Sequence, residues 1–136
     1  MPLDEIIEAQ ARWARLKWAE HNSKRAPSLV ENLIQPLYAD ARKEFESGSG
    51  GELGKGGKPG KMTSLRSSSA LGYNVFGPWN GLDLTPVSVA LGSPIGSRDV
   101  HFERKFRHGL NSQPPNIDVV FDLKLELTGF RGHLNV

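Results

Sequence analysis

A chain of 136 residues has the size of one domain, and its 38% hydrophobic and 24% charged residues supply a modest core. The absence of cysteine excludes disulfide scaffolds, thiolate zinc sites, iron–sulfur ligation and cysteine nucleophiles. No run approaches the roughly 18 apolar residues of a membrane span, and Met1-Pro2-Leu3-Asp4-Glu5 opens acidic rather than as an export signal, so a soluble cytoplasmic protein is expected.

Residues 4–20 have the spacing of an amphipathic helix, with Ile6, Ala9, Trp13 and Leu16 at three- and four-residue steps and Asp4 as its cap. Trp13 and Trp18, five positions apart, are expected on different faces, one in the core and the other free for a partner. Ser28 and Glu31 have the spacing of a capping box ahead of Leu29, Val30, Leu33 and Ile34. Pro36 breaks that helix, and Leu37, Ala41 and Phe45 stripe the next one as far as Ser47-Gly48.

Residues 47–61 hold seven glycines and three lysines. So much glycine disfavours regular structure, and neither phosphate-loop spacing occurs, so a nucleotide-binding loop is excluded. The stretch 47–69 carries four basic residues and one acid, the largest local excess in a chain of net charge +2. It reads either as a solvated linker or as a flexible phosphate contact through Lys58 and Lys61.

Ser64 to Phe76 predicts a further helix, with Leu65, Ala70, Leu71 and Val75 as its apolar positions and Gly77-Pro78 as its stop. Thr85-Pro86 opens a short helix that Gly92 closes. The period then changes to two. Val100, Phe102 and Phe106 alternate with His101, Glu103, Lys105 and Arg107, and residues 117–127 alternate likewise, with a Pro114-Pro115 loop between. A β-hairpin follows. With both apolar faces inward, paired residue numbers must sum to an odd value. A sum of 221 sets Glu103 opposite Asp118, and 223 sets Lys105 there with Glu103 on the diagonal.

Either register lets two carboxylates converge on Mg²⁺, and the other reading is a wet, charged hairpin face. His101 is either an assisting ligand or a solvated side chain. Arg104, Lys105 and Arg107 either track a phosphate backbone or end a charged strand. Zinc-binding and serine-hydrolase motifs are absent.

Three pieces in order also resemble one branch of the PD-(D/E)XK, restriction-endonuclease-like nucleases: Ser67 to Pro78 (SSSALGYNVFGP), Phe102-Glu103-Arg104-Lys105, and Pro114 to Val120 (PPNIDVV). The resemblance implies a three-layer α/β fold around a small mixed sheet and Mg²⁺-dependent cleavage of DNA phosphodiesters. It maps the P-D aspartate to Asp118, with two residues inserted after Pro115, and makes Glu103 the additional acid. The family's Glu/Asp-x-Lys strand has no convincing copy. Asp122-Leu123-Lys124 lies about 13 Å along the same strand from Asp118, and Glu126-Leu127-Thr128 has threonine in place of lysine.

The expected architecture is therefore α+β, a partial restriction-endonuclease-like α/β core. It comprises a helical arm at 1–46, a Gly/Lys-rich loop at 47–62 and a nuclease-like core at 63–136. The expected function is a truncated or degenerate nuclease of weak or no activity, with Asp118 and Glu103 as catalytic and metal ligands. Arg104, Lys105, Arg107, Lys58 and Lys61 would meet DNA. The alternative is a non-catalytic nucleic-acid or protein interaction module, with a second copy of the chain as a candidate cover for the hairpin's open edge.

Overall fold

A computed structural model describes residues 2–18, 24–48, 50–105 and 116–123. The expected Arg107 contact and the second strand beyond Leu123 lie outside the described residues. The architecture is a mixture of short helices and antiparallel strands, the expected α+β class at its coarse level. Among the described residues, no helix is long and apolar enough to cross a membrane.

Helix α1 (Leu3–Lys17) carries Asp4 and Glu5 in its first turn and Arg15 and Lys17 in its last, complementing the helix dipole. Asp4 is therefore inside the helix rather than its cap, which is Pro2. The expected apolar stripe is largely uncovered: Ala14 is buried, whereas Ile6, Trp13 and Leu16 are exposed. The two tryptophans also depart from expectation. Trp18 lies beyond the last helical residue, so the chain leaves the helical path and returns its ring edge-on to Trp13 at 5.2 Å. The Lys17 ammonium lies about 5 Å from both rings, a cation–π clamp. The Trp18 indole then donates to Glu31 at 3.2 Å.

Ser28 caps α2 (Leu29–Asn32) by accepting from the Glu31 amide, as the capping spacing predicts. The chain is extended through Leu33 and again before α3 (Ala39–Ser47), around the expected break at Pro36. Ala41 and Phe45 are the buried positions of α3, matching its stripe.

The glycine-rich segment forms a small hairpin, β1 (Gly54–Lys55) against β2 (Lys58–Pro59). Glycine is required there rather than merely tolerated. Gly54 has a φ of 82°, and a Cβ on it would strike the Lys58 carbonyl, while one on Gly60 would strike the Glu52 carbonyl. Neighbouring structure supplies the ordering that glycine alone cannot. The Met62 amide donates to Glu52 O, Arg25 donates to Gly60 O and Thr63 Oγ1, and Met62 is fully buried.

Helix α4 (Ser68–Phe76) starts at Ser67, whose hydroxyl accepts from the Ala70 amide. It starts later than expected and presents a different face. Ala70 and Tyr73 are buried, whereas Leu71 is 65% exposed and Val75 is exposed too. Tyr73 wins the core because its phenol has a buried destination, donating to Pro36 O at 2.7 Å while accepting from the Tyr38 amide. Helix α5 (Thr85–Leu91) closes at Gly92 in the left-handed region, as predicted. Asp83 accepts from the Thr85 hydroxyl and amide, and these bonds hold its carboxyl below the ordinary range.

The hairpin pairs β3 (Ile95–Lys105) with β4 (Asn116–Leu123). Val100 faces Phe121, Phe102 faces Val119 and Arg104 faces Ile117, the 221 register, with an irregularity between Ile95 and Val100. Around Phe102 gather Phe45 and Tyr73, each with its centroid 5.4 Å away, and Phe76 meets Phe121 edge-on at 5.4 Å. Helix α4 approaches the sheet so closely that a Cβ at Gly72 would come within 2.9 Å of Val119 Cγ2.

Part of the outer edge of β3 is covered from within the chain. The Val100 amide donates to Asn80 Oδ1 at 2.9 Å, the Phe102 amide donates to Glu44 Oε2 at 2.8 Å, and the Tyr38 hydroxyl donates to Val100 O at 2.7 Å. Burial, with Tyr73 and Glu44 nearby, pushes the Tyr38 phenol well above its ordinary pKa, so it remains a donor. Side chains from three segments thus cover the edge at Val100 and Phe102.

Candidate metal and nucleic-acid site

Glu103 is the irregular residue of β3. It lies between the pairs Phe102–Val119 and Arg104–Ile117, and the register places it across from Asp118. Its φ of 52° is the one left-handed value at a non-glycine residue among the described residues. A left-handed conformation costs an ordinary residue about 1–2 kcal/mol. Local packing therefore holds it there, and such strain concentrates at functional positions.

This backbone turn breaks the alternation. Phe102 and Glu103 are consecutive yet both buried, Glu103 at 7% exposure. The Ser69 hydroxyl on α4 donates to Glu103 Oε1 at 2.8 Å. On the far side of the turn, Arg104 reaches the same partners as His101, although an even strand would send residues 101 and 104 to opposite faces. His101 Nδ1 lies 2.9 Å from Glu44 Oε1, and Arg104 Nε lies 3.8 Å from the same oxygen. Both side chains also approach Asp122, at 3.9 and 4.0 Å.

His101 is accordingly a mostly buried partner of Glu44 rather than a solvated side chain. Arg104 is shared between Glu44 and Asp122, while Lys105 is exposed at the end of β3. Asp118 is exposed on β4. Lys58 is exposed on β2, and Lys61 lies beyond it in a 3₁₀ turn.

The two acids expected to hold a metal are thus differently placed: Glu103 is buried and turned to Ser69 on α4, and Asp118 is open to solvent on β4. Mg²⁺ takes carboxylate oxygens, commonly one or two, and keeps several waters, so each acid is of the donor type it uses. Among the described residues, no group of three or more histidines and acids is placed to hold a metal ion.

Ser69 connects Glu103 to a second feature. A cavity of about 420 Å³ is lined by Arg25, Lys61, Arg66, Ser67, Ser69 and Glu52. Three cations there suit an anion, with the hydroxyls of Ser64, Ser67 and Ser68 beside them and that of Ser69 given to Glu103. Of these residues only Lys61 was legible as a phosphate contact. Arg25 and Arg66 come from segments about 40 residues apart in sequence, brought together by the Arg25–Ser64 bridge. Glu52 had one sequence signal, as the lone acid in the basic stretch 47–69.

No protein-family model matches the chain, and no curated protein or solved structure matches it either.

Proposed function

We propose that the chain is a restriction-endonuclease-like, Mg²⁺-dependent DNA phosphodiesterase of weak activity. The observation that carries the reading is the strained, buried Glu103 in register with Asp118, joined through Ser69 to a cation-lined cavity. The resemblance of Ser67–Pro78, Phe102–Lys105 and Pro114–Val120 to that nuclease superfamily points the same way.

When bound, Mg²⁺ supplies charge stabilisation at the phosphate and lowers the pKa of a water. Glu103 and Asp118 would hold it, and Ser69 orients the Glu103 carboxylate. Lys61, Arg66 and Lys105, all exposed, meet phosphates. Activity is weak because the sequence places no Glu-x-Lys lysine beside the acid pair.

The test is nicking of supercoiled plasmid with Mg²⁺ or Mn²⁺. Cleavage that is abolished by Asp118→Ala and by Glu103→Gln supports the proposal, and cleavage indifferent to both substitutions contradicts it. A second reading, a non-catalytic nucleic-acid module, is favoured by the cation-lined cavity alone. It predicts binding that falls steeply with salt and ignores both metal and Asp118→Ala.

A further inference from the structure

Glu52 is the polar side chain that the metal-dependent reading leaves unused. It is nine-tenths buried, at 8% exposure, and lines the cavity beside Arg25, Lys61 and Arg66. Its backbone carbonyl accepts from the Met62 amide, but its carboxylate has no hydrogen bond or ion pair with any described residue. No cation of the cavity lies within 4.0 Å of it. A carboxylate withdrawn from water without partners is costly, and native structures seldom keep one without a ligand to satisfy it.

The packing that holds Glu52 there is specific. Its main chain lies under the β1–β2 hairpin, where only glycine fits at position 60 against the Glu52 carbonyl. Glu52 thus lines the cavity from a segment whose backbone is held by the hairpin. The same lining holds the three cations and the hydroxyl of Ser67, whereas the Ser69 hydroxyl is given to Glu103. The cations suit a phosphate, and Glu52 suits a hydrogen-bond donor of the same ligand.

We infer that this cavity binds a single nucleotide unit, its phosphate against Lys61, Arg66, Arg25 and Ser67 and a sugar hydroxyl donating to Glu52. The cavity volume of about 420 Å³ falls in the usual range of about 300–1,000 Å³ for small-ligand sites, which suits one nucleotide rather than a duplex. The inference stands on the cavity and on Glu52, not on the metal pair.

The experiment is calorimetric titration of the full chain, in EDTA at low salt, with inorganic phosphate and with adenosine 5′-monophosphate. The nucleotide is expected to bind about tenfold more tightly than phosphate, the difference a hydrogen bond to a charged acceptor makes. Glu52→Gln reduces that advantage to about twofold without weakening phosphate binding, because an amide is the poorer acceptor and no longer repels the anion. Its thermal midpoint should equal or exceed that of the parent, since an unpaired buried charge is removed. Arg66→Ala with Lys61→Ala, both at exposed positions, weakens both ligands about tenfold.

Equal affinity for the two ligands, affinity unchanged in the Arg66/Lys61 double variant, or binding that requires Mg²⁺ would overturn the inference. Asp118→Ala separates it from the metal-dependent reading, because nucleotide binding in EDTA is expected to survive that substitution intact.

Discussion

Strand β3 and helix α1 both carry regular apolar patterns, yet one is enclosed and the other lies largely bare. On β3, Val100 and Phe102 are buried, and Asn80, Glu44 and Tyr38 occupy the outer backbone groups of the same two residues. On α1, Leu3, Ile6, Trp13 and Leu16 are exposed, and Ala14 is the buried residue. The difference shows that hydrophobic periodicity establishes that a face can be buried, not that the same chain buries it. Enclosure also needs polar side chains able to reach the strand's unpaired amides and carbonyls, and those lie 20 to 62 residues away in sequence.

Substitutions at the two regions should separate sharply. The largest loss is expected for Phe102→Ala, about 3–5 kcal/mol in chemical denaturation, because Phe45, Tyr38 and Tyr73 all pack on that ring. Next comes Glu44→Ala, about 2 kcal/mol, since it orphans the Phe102 amide and removes the partner of His101. A smaller effect sharpens the account of the strand's kink. Glu103→Gly should be more stable than Glu103→Ala by about 1 kcal/mol, reversing the usual order in strands, because only glycine takes a positive φ without strain. Leu16→Ser on α1 should change stability by no more than about 0.5 kcal/mol, since Leu16 is already 82% exposed. A loss of 2 kcal/mol there would show that α1 is covered in solution and would collapse the comparison.

Much of the hairpin was legible because strand parity leaves few choices. Alternation at 100–102 and 117–121, with the apolar sides inward, admitted the 221 register that the structure adopts. Local capping chemistry was equally legible at Ser28 and at Gly92, since each acts on its own or a neighbouring turn.

The readings that missed depended on where the chain goes next. Trp18 meets Trp13 because the helix has ended before it, and a five-residue spacing excludes contact only within a helix. Tyr73 displaces Leu71 and Val75 from the core because its hydroxyl meets the Pro36 carbonyl, a partner 37 residues distant. The glycine-rich stretch pairs with itself because Arg25 and the Met62 amide fasten it from outside, stabilisation that composition does not register.

At the site, the sequence brought Glu103 opposite Asp118 but gave no sign of the left-handed backbone that buries the first acid on Ser69. Glutamate has no preference for that conformation, so only tertiary packing can impose it. Glu52 escaped notice for the same reason, its burial being a product of tertiary packing.

The central claim is that Glu103 and Asp118 grip one divalent ion. Titration of the isotope-labelled chain with substoichiometric Mn²⁺, followed by paramagnetic broadening of backbone amide signals, tests it directly. The account predicts that the signals of residues 103 and 118 broaden first and together, and that Asp118→Ala abolishes the effect at both. Broadening centred elsewhere, or persisting at Glu103 in the Asp118→Ala variant, would contradict it.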